Sequence, residues 1–232
     1  MTATEDLFTP IHKALRSMIY SLGGRLQSVD FADKSASVAV LSDLEHEFSN
    51  AVTSTCVLCL LHHHAGSEET VVFPPMQPLD PAMIRTLIDE HQEITRRLVS
   101  LSKKAEAIRS TEELRRRIEL GAQINREAND FFAYYLAHMN KEEVTIVPAM
   151  KEHFTDDQLR ALQGQIIGSM PPERVGNYLR WMLPSLNLAE LTGFIAGVKH
   201  GAPPEVLRMV AGVGTANVDP ARWATVRERV GF

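Results

Sequence analysis

One thirteen-residue segment of this chain occurs twice. Residues 64–76, HAGSEETVVFPPM, align with residues 138–150, HMNKEEVTIVPAM, at a constant offset of 74, pairing His64 with His138, Glu68 with Glu142, Glu69 with Glu143, Pro74 with Pro148 and Met76 with Met150. A fainter match sets PIHKALRSMI beside DEHQEITRRL and pairs His12 with His91, Leu15 with Ile94 and Ile19 with Leu98. Each half therefore reads as a helix pair whose first helix carries one histidine and whose second carries His-x-x-x-Glu. Four residues along a helix amount to one turn plus about 40°, so each His and Glu point the same way.

Helical periodicity extends over nearly the whole sequence. Apolar residues recur at spacings of three and four, as in Ile11, Leu15, Ile19 and Leu22, and period-2 alternation bounded by hairpin turns is almost absent. The fold class is all-α. Thr9-Pro10, Asp80-Pro81 and Asp219-Pro220 each put a capping oxygen before a proline, which a first helical turn accepts without losing a hydrogen bond. Ser42 with Glu45, Ser110 with Glu113 and Thr155 with Gln158 have capping-box spacing. Four long helices are predicted near residues 9–26, 42–73, 81–108 and 111–153, with residues 27–41 open between an early turn of the second helix, a connector and a short extended piece. Beyond Thr155 the pattern breaks into about five short helices separated by Pro171-Pro172, Asn187, Pro203-Pro204 and Asp219-Pro220. Residues 1–154 then form a four-helix bundle and residues 155–232 a helical extension packed on it.

Two such hairpins, packed about an approximate two-fold axis, bring four imidazoles and two carboxylates into one interior. The candidate metal ligands are His12, His64, Glu68, His91, His138 and Glu142. Imidazole with carboxylate suits iron, manganese or zinc, and the dinuclear arrangement favours iron. With two histidines per ion and Glu68 and Glu142 shared, each ion stays short of six ligands, which leaves room for water, hydroxide, oxygen, peroxide or nitric oxide. Two buried carboxylates without counter-ions would cost several kcal/mol each, so metal is expected to stabilise the fold.

The chain has 232 residues, 44% hydrophobic and 23% charged, enough for a large core. A net charge of only −5 with scattered basic residues gives no nucleic-acid footprint. The N-terminus, MTATEDLFTP, resembles no export signal, and no apolar run approaches the roughly 20 residues that cross a bilayer. Cys56 and Cys59, read as one turn apart within a helix, suit reduced thiols filling core space, which points to a cytoplasmic protein.

Across roughly residues 6–154 the sequence resembles the hemerythrin-like, or HHE cation-binding, domains. The resemblance implies an up-down four-helix bundle with a non-haem di-iron centre and a bridging oxo, hydroxo or water ligand. By position, His12 matches the ligand of the first helix, His64 and Glu68 the pair on the second, His91 the ligand of the third, and His138 and Glu142 the pair on the fourth. Oxygen-carrying hemerythrins use a fifth histidine four residues after the first on helix 3, where this chain has Thr95. The six-ligand set is more similar to HHE proteins of iron sensing, oxygen or nitric oxide response, peroxide handling or repair of iron centres. Enzymatic turnover and the oligomeric state are left open by the resemblance.

Other residues admit two readings. Glu69, Glu90 and Glu143, beside ligands, are placed either to accept an imidazole N–H or to lie on a solvated face. Tyr134, one turn before His138, either reaches the cavity or packs in the core. His62 and His63 are read as facing other surroundings, and as alternative ligands if Gly66, which weakens the helix by about 1 kcal/mol, lets it bend or rotate. His46, His153 and His200 lack paired partners and read as surface or capping residues. Residues 170–186 read as a segment that docks on the bundle.

Overall fold

Capping and proline chemistry set where the helices begin. The computed structural model describes residues 5–45 and 56–232, and these are helical with no strand among them. Helix α1 (Thr9–Ser28) has Pro10 in its first turn, but Thr9 is already helical. The cap is Asp6, whose Oδ1 accepts from the N–H groups of Phe8 and Thr9 at 3.0 and 2.9 Å. Asp80 and Asp219 cap as their sequence suggests, accepting from Met83 N and Arg222 N at 2.9 Å each. They start α5 (Pro81–Ser110) and α11 (Pro220–Val230).

Residues 34–44, mostly within the stretch left open by sequence, form a separate helix, α2 (Lys34–Leu44). Asp33 starts it by accepting from Ser35 N and Ala36 N at 2.8 and 3.1 Å. The expected helix start at Ser42 is therefore wrong: Ser42 sits in the last turn of α2 and donates to Val38 O at 2.9 Å. The box expected at Ser110 and Glu113 also fails. Ser110 closes α5 by donating to its own helix at Glu106 O, 3.0 Å away, and α6 (Leu114–His153) begins with no side-chain cap. Thr155 with Gln158 forms the box in full, at the start of α7 (Asp156–Gly168).

The helix of the first His-x-x-x-Glu motif is not uniform. It runs as α3 (Val57–Ser67), a π turn (Glu68–Val72) and α4 (Phe73–Met76). Pro74 and Pro75 lack the N–H groups that would bond Thr70 O and Val71 O, and their rings crowd those carbonyls. Widening by one residue, with Phe73 N donating to Glu68 O, relieves both. The second copy has a single proline, Pro148, and α6 passes through it as an α-helix.

The up-down bundle consists of α1, the α3–π–α4 helix, α5 and α6. At one end the buried Arg117 binds three elements together, donating to Phe31 O, Ile108 O and Ser37 Oγ at 3.0–3.1 Å. Five further helices follow as α7, α8 (Pro172–Ser185), α9 (Leu188–Gly201), α10 (Pro204–Asn217) and α11. The docking expected of residues 170–186 is found: Leu179 and Leu183 of α8 share one apolar core with Leu15, Met18 and Leu22 of α1. Tyr178 donates its hydroxyl to Leu60 O at 2.6 Å, and Lys13 pairs with Glu190 at 2.5 Å. No helix among the described residues is long and apolar enough to cross a membrane.

Candidate metal centre

The apolar stripe of α1 carries His12 inward beside Leu15 and Ile19, and the stripe of α5 does the same for His91 beside Leu87 and Ile94. Glu68 opens the π turn one turn after His64, while His138 and Glu142 lie a turn apart on α6. All six residues are 0–8% exposed. The sequence-derived candidates thus converge on one interior site.

Their ligand atoms form two groups, each within 4.8 Å: His12, His64, Glu68 and Glu142, and His91, His138, Glu68 and Glu142. His64 Nε2 lies 3.0 Å from Glu68 Oε1 and His138 Nε2 3.1 Å from Glu142 Oε1. His12 Nε2 and His91 Nε2 stand 3.4 Å from Glu142 Oε2 and Glu68 Oε2, respectively. Proximity does not become hydrogen bonding, because His12 Nε2, His64 Nε2 and all four oxygens of Glu68 and Glu142 are buried with no hydrogen-bond partner. Orphaned buried carboxylate oxygens are costly. A donor set of nitrogens and oxygens turned on a common point fits a metal cation, which would satisfy them all.

The opposite edges of three rings point to the same conclusion. His12 Nδ1 lies 3.0 Å from Glu143, His91 Nδ1 2.9 Å from Glu69 and His138 Nδ1 2.8 Å from Glu90. A carboxylate on Nδ1 fixes the proton there and turns the lone pair of Nε2 into the site. His91 Nε2 and His138 Nε2 then face each other at 2.9 Å as two acceptors, an arrangement that a cation between them stabilises. Without metal, protons take that part. Burial lowers the affinity of His12 for a proton, but the hydrogen bond to Glu143 and the nearby carboxylates of Glu68 and Glu142 raise its pKa to about 9. His91 is likewise disfavoured by burial and raised by Glu142 and Glu68 to about 10. Against their own burial, Glu68 is held below the usual carboxylate range chiefly by His64 and His12, and Glu142 by His138 and His91.

The Nδ1 partners follow the internal repeat. Glu143, from the second copy, holds His12 of the first half, and Glu69, from the first copy, holds His91 of the second. This reciprocal exchange is what a two-fold relation between the hairpins requires. Arg16 adds a 2.8 Å contact to Glu143, and Lys141 pairs with Glu90. The symmetry breaks at Glu90, because the faint repeat aligns it with Ile11. The first half therefore has an apolar side chain where the second has the carboxylate that holds His138.

Some expectations need correction. Tyr134 does not enter the interior; its ring lies under the Arg97 guanidinium at 4.5 Å. Tyr135, three residues before His138, is buried and donates to Leu61 O at 3.0 Å, since i−3 rather than i−4 lies on the inward face here. Cys56 and Cys59 are not reduced thiols within a helix: they form a disulfide with a Cα–Cα distance of 5.2 Å. The helix starts at Val57 and not near residue 42, so Cys56 is its N-cap, with extended backbone and Sγ accepting from Cys59 N at 3.1 Å. His62 and His63 face other surroundings. His63 lies 3.3 Å from the Tyr178 hydroxyl, with its pKa lowered to about 4 by burial and by Arg174. His62 lines a cavity with Glu69, His91 and Thr95. His46 lies outside the described residues.

Sequence reading missed the aromatic walls. Phe73 stacks on His91 with centroids 5.3 Å apart, and Phe8 meets His12 edge-on at 5.3 Å. Phe73 carried a signal, standing on the repeat beside Pro74; Phe8 is not in the repeat.

A model of the hemerythrin HHE cation-binding domain matches residues 5–150. The chain belongs to this family, whose matched region contains all six converging residues. No curated relative and no solved structure matches the chain.

Proposed function

We propose that the protein is a non-haem di-iron protein that binds or reduces a small oxidant: oxygen, peroxide or nitric oxide. The observation that carries this reading is the set of buried Nε2 and carboxylate oxygen atoms that face one another without hydrogen bonds. In this reading His12 and His64 would hold one ion and His91 and His138 the other, with Glu68 and Glu142 within reach of both. Residues 1–154 are the metal-holding bundle and residues 155–232 the cover packed on it. Iron supplies an open coordination position and a one-electron redox couple; zinc and manganese suit the same donors less well as carriers of oxidant chemistry.

The chain's own residues have defined tasks. Glu143, Glu69 and Glu90 fix the tautomers of His12, His91 and His138 through their Nδ1 protons. Phe8, Phe73 and Tyr135 exclude water from the rings they touch. The Tyr135 hydroxyl is committed to Leu61 O, so it does not serve as a proton donor at the centre.

A second reading, an iron- or oxygen-responsive regulatory module, is favoured by one observation: α8 shares its core with α1, which carries His12. Metal loading that tightens α1 then reaches the C-terminal helices. The two readings separate by hydrogen exchange, which changes across residues 155–232 on chelation only in the second. The third, a structural protein with a zinc-filled or vestigial site, would be overturned by about two irons per chain in protein isolated without added metal.

The direct test is metal content in variants. Glu68→Ala and Glu142→Ala are expected to lose both ions together, while His12→Ala weakens one more than the other. Equal loss in all three variants contradicts the shared-carboxylate arrangement.

A further inference from the structure

A cavity of about 150 Å³ lies where α1, the π turn, α7 and α8 meet. Its wall is mainly apolar, with Ile11 from the bundle and Ile166, Met170, Val175 and Leu179 from the C-terminal helices, and it reaches His64 and Glu68. A mainly apolar cavity of about this volume has room for a benzene-sized molecule.

Three observations set it apart from a packing gap. It lies where the two-fold pattern is broken: Ile11 lines it at the position that Glu90 fills beside His138. It is built jointly by the bundle and by the helices beyond the matched family domain, which ends at residue 150. Few of its polar atoms face a ligand: the Tyr178 hydroxyl donates to Leu60 O and the Ser67 hydroxyl to His63 O, His63 Nδ1 lies 3.3 Å from the Tyr178 hydroxyl, Gln163 is exposed at the rim, and the unpartnered His64 Nε2 and Glu68 oxygens converge with His12 and Glu142 on the metal site. The carboxylate of Glu68 is turned toward the four histidines. The unpartnered Nε and Nη2 of Arg174 lie behind the wall and not on it, so a charged ligand would leave water without meeting a counter-charge on the wall, whereas an uncharged apolar one has no such cost.

We infer that this chamber is a binding site for a small, uncharged, apolar organic molecule of about one six-membered ring, held against the outer side of His64 and Glu68. Binding stands independently of the proposed function; the placement of the ligand beside a metal pair rests on it.

The test uses the full chain in its metal-loaded form, with metal content measured on the same sample, and fluorobenzene as probe, followed by ¹⁹F NMR. Saturable binding of one molecule per chain is expected, displaced by toluene but not by benzoate at equal concentration. The fluorine signal should be broadened in the iron-loaded protein and sharpen on chelation. Val175→Phe and Ile166→Phe, each filling the wall from a different helix, should weaken binding by about tenfold or more while keeping wild-type metal content. The one that retains wild-type melting decides the point if the other does not. Non-saturable partitioning, wild-type affinity in both variants, or equal displacement by benzoate overturns the inference. Fluorobenzene binding to a chain that holds no iron leaves the chamber standing and removes the di-iron reading; full iron without fluorobenzene binding does the reverse.

Discussion

If the Nδ1 carboxylates cross between the two halves, a substitution at Glu143 should weaken the ion held by His12 and His64, although Glu143 is the sequence neighbour of Glu142 and stands on the helix of His138. Glu143→Gln keeps the shape and removes the charge that accepts from His12 at 3.0 Å and from Arg16 at 2.8 Å. Loss of such a partner typically weakens a metal by 10–100-fold, or about 1.4–2.7 kcal/mol. The Glu143 side chain is 26% exposed and that of Glu69 is 42% exposed. Solvent screening therefore puts Glu69→Gln near the lower end of that range and Glu143→Gln nearer the upper. The assay is stepwise metal binding by competition with a chelator, combined in double-mutant cycles. Glu143→Gln should couple strongly to His12→Ala and weakly to His91→Ala, and Glu69→Gln should show the reverse. Equal coupling to both histidines, or stronger coupling of Glu143 to His91, would refute the crossed arrangement.

Protons and metal compete for the same ring atoms. In the metal-free chain His12 and His91 are raised from 6.5 to about 9 and about 10, so loading at pH 7 should release protons and apparent affinity should rise with pH up to that range, as a pH-stat titration would register. The sign for folding is opposite. Stabilisation from these raised groups is complete below about pH 6.5 and lost as pH rises through 9 to 10, while that from Glu68 and Glu142, held low, is present above about pH 4.5 and lost as pH falls. Urea midpoints of chelated protein should thus be highest near pH 5–6; a steady increase from pH 6 to 10 contradicts the assignment. Away from the site, Gly121→Ala would put a Cβ 2.3 Å from the Phe31 ring. It should destabilise the protein by about 1–3 kcal/mol in urea unfolding, despite the better helix propensity of alanine, with metal content unchanged; an unchanged or raised midpoint would show that Phe31 moves aside freely.

What was legible in the sequence was whatever repeats. The 74-residue offset places His64, Glu68, His138 and Glu142 on equivalent turns, and helical periodicity turns them inward together with His12 and His91. Glu69, Glu90 and Glu143 were visible as neighbours of ligands, but periodicity does not tell a solvated glutamate from one whose carboxylate crosses to a facing helix. Departures arose where local chemistry competes. Asp33 caps an earlier helix than Ser42 would, and the two prolines at 74 and 75 convert the turn of Glu68 into a π turn. With Cys56 as the N-cap of the helix that starts at Val57, Cys56 and Cys59 lie in a first turn where they pair. Tyr178 and the chamber beside Ile11 depend on how α8 lies across α1, a tertiary relation with no counterpart in spacing.

The most direct measurement is metal content by elemental analysis of protein isolated without added metal, joined to an optical spectrum of the same air-oxidised sample. About two irons per chain, with the near-ultraviolet absorption of an oxygen-bridged ferric pair, is the predicted result. Zinc in place of iron, a single ion, or no metal at full folding would contradict it.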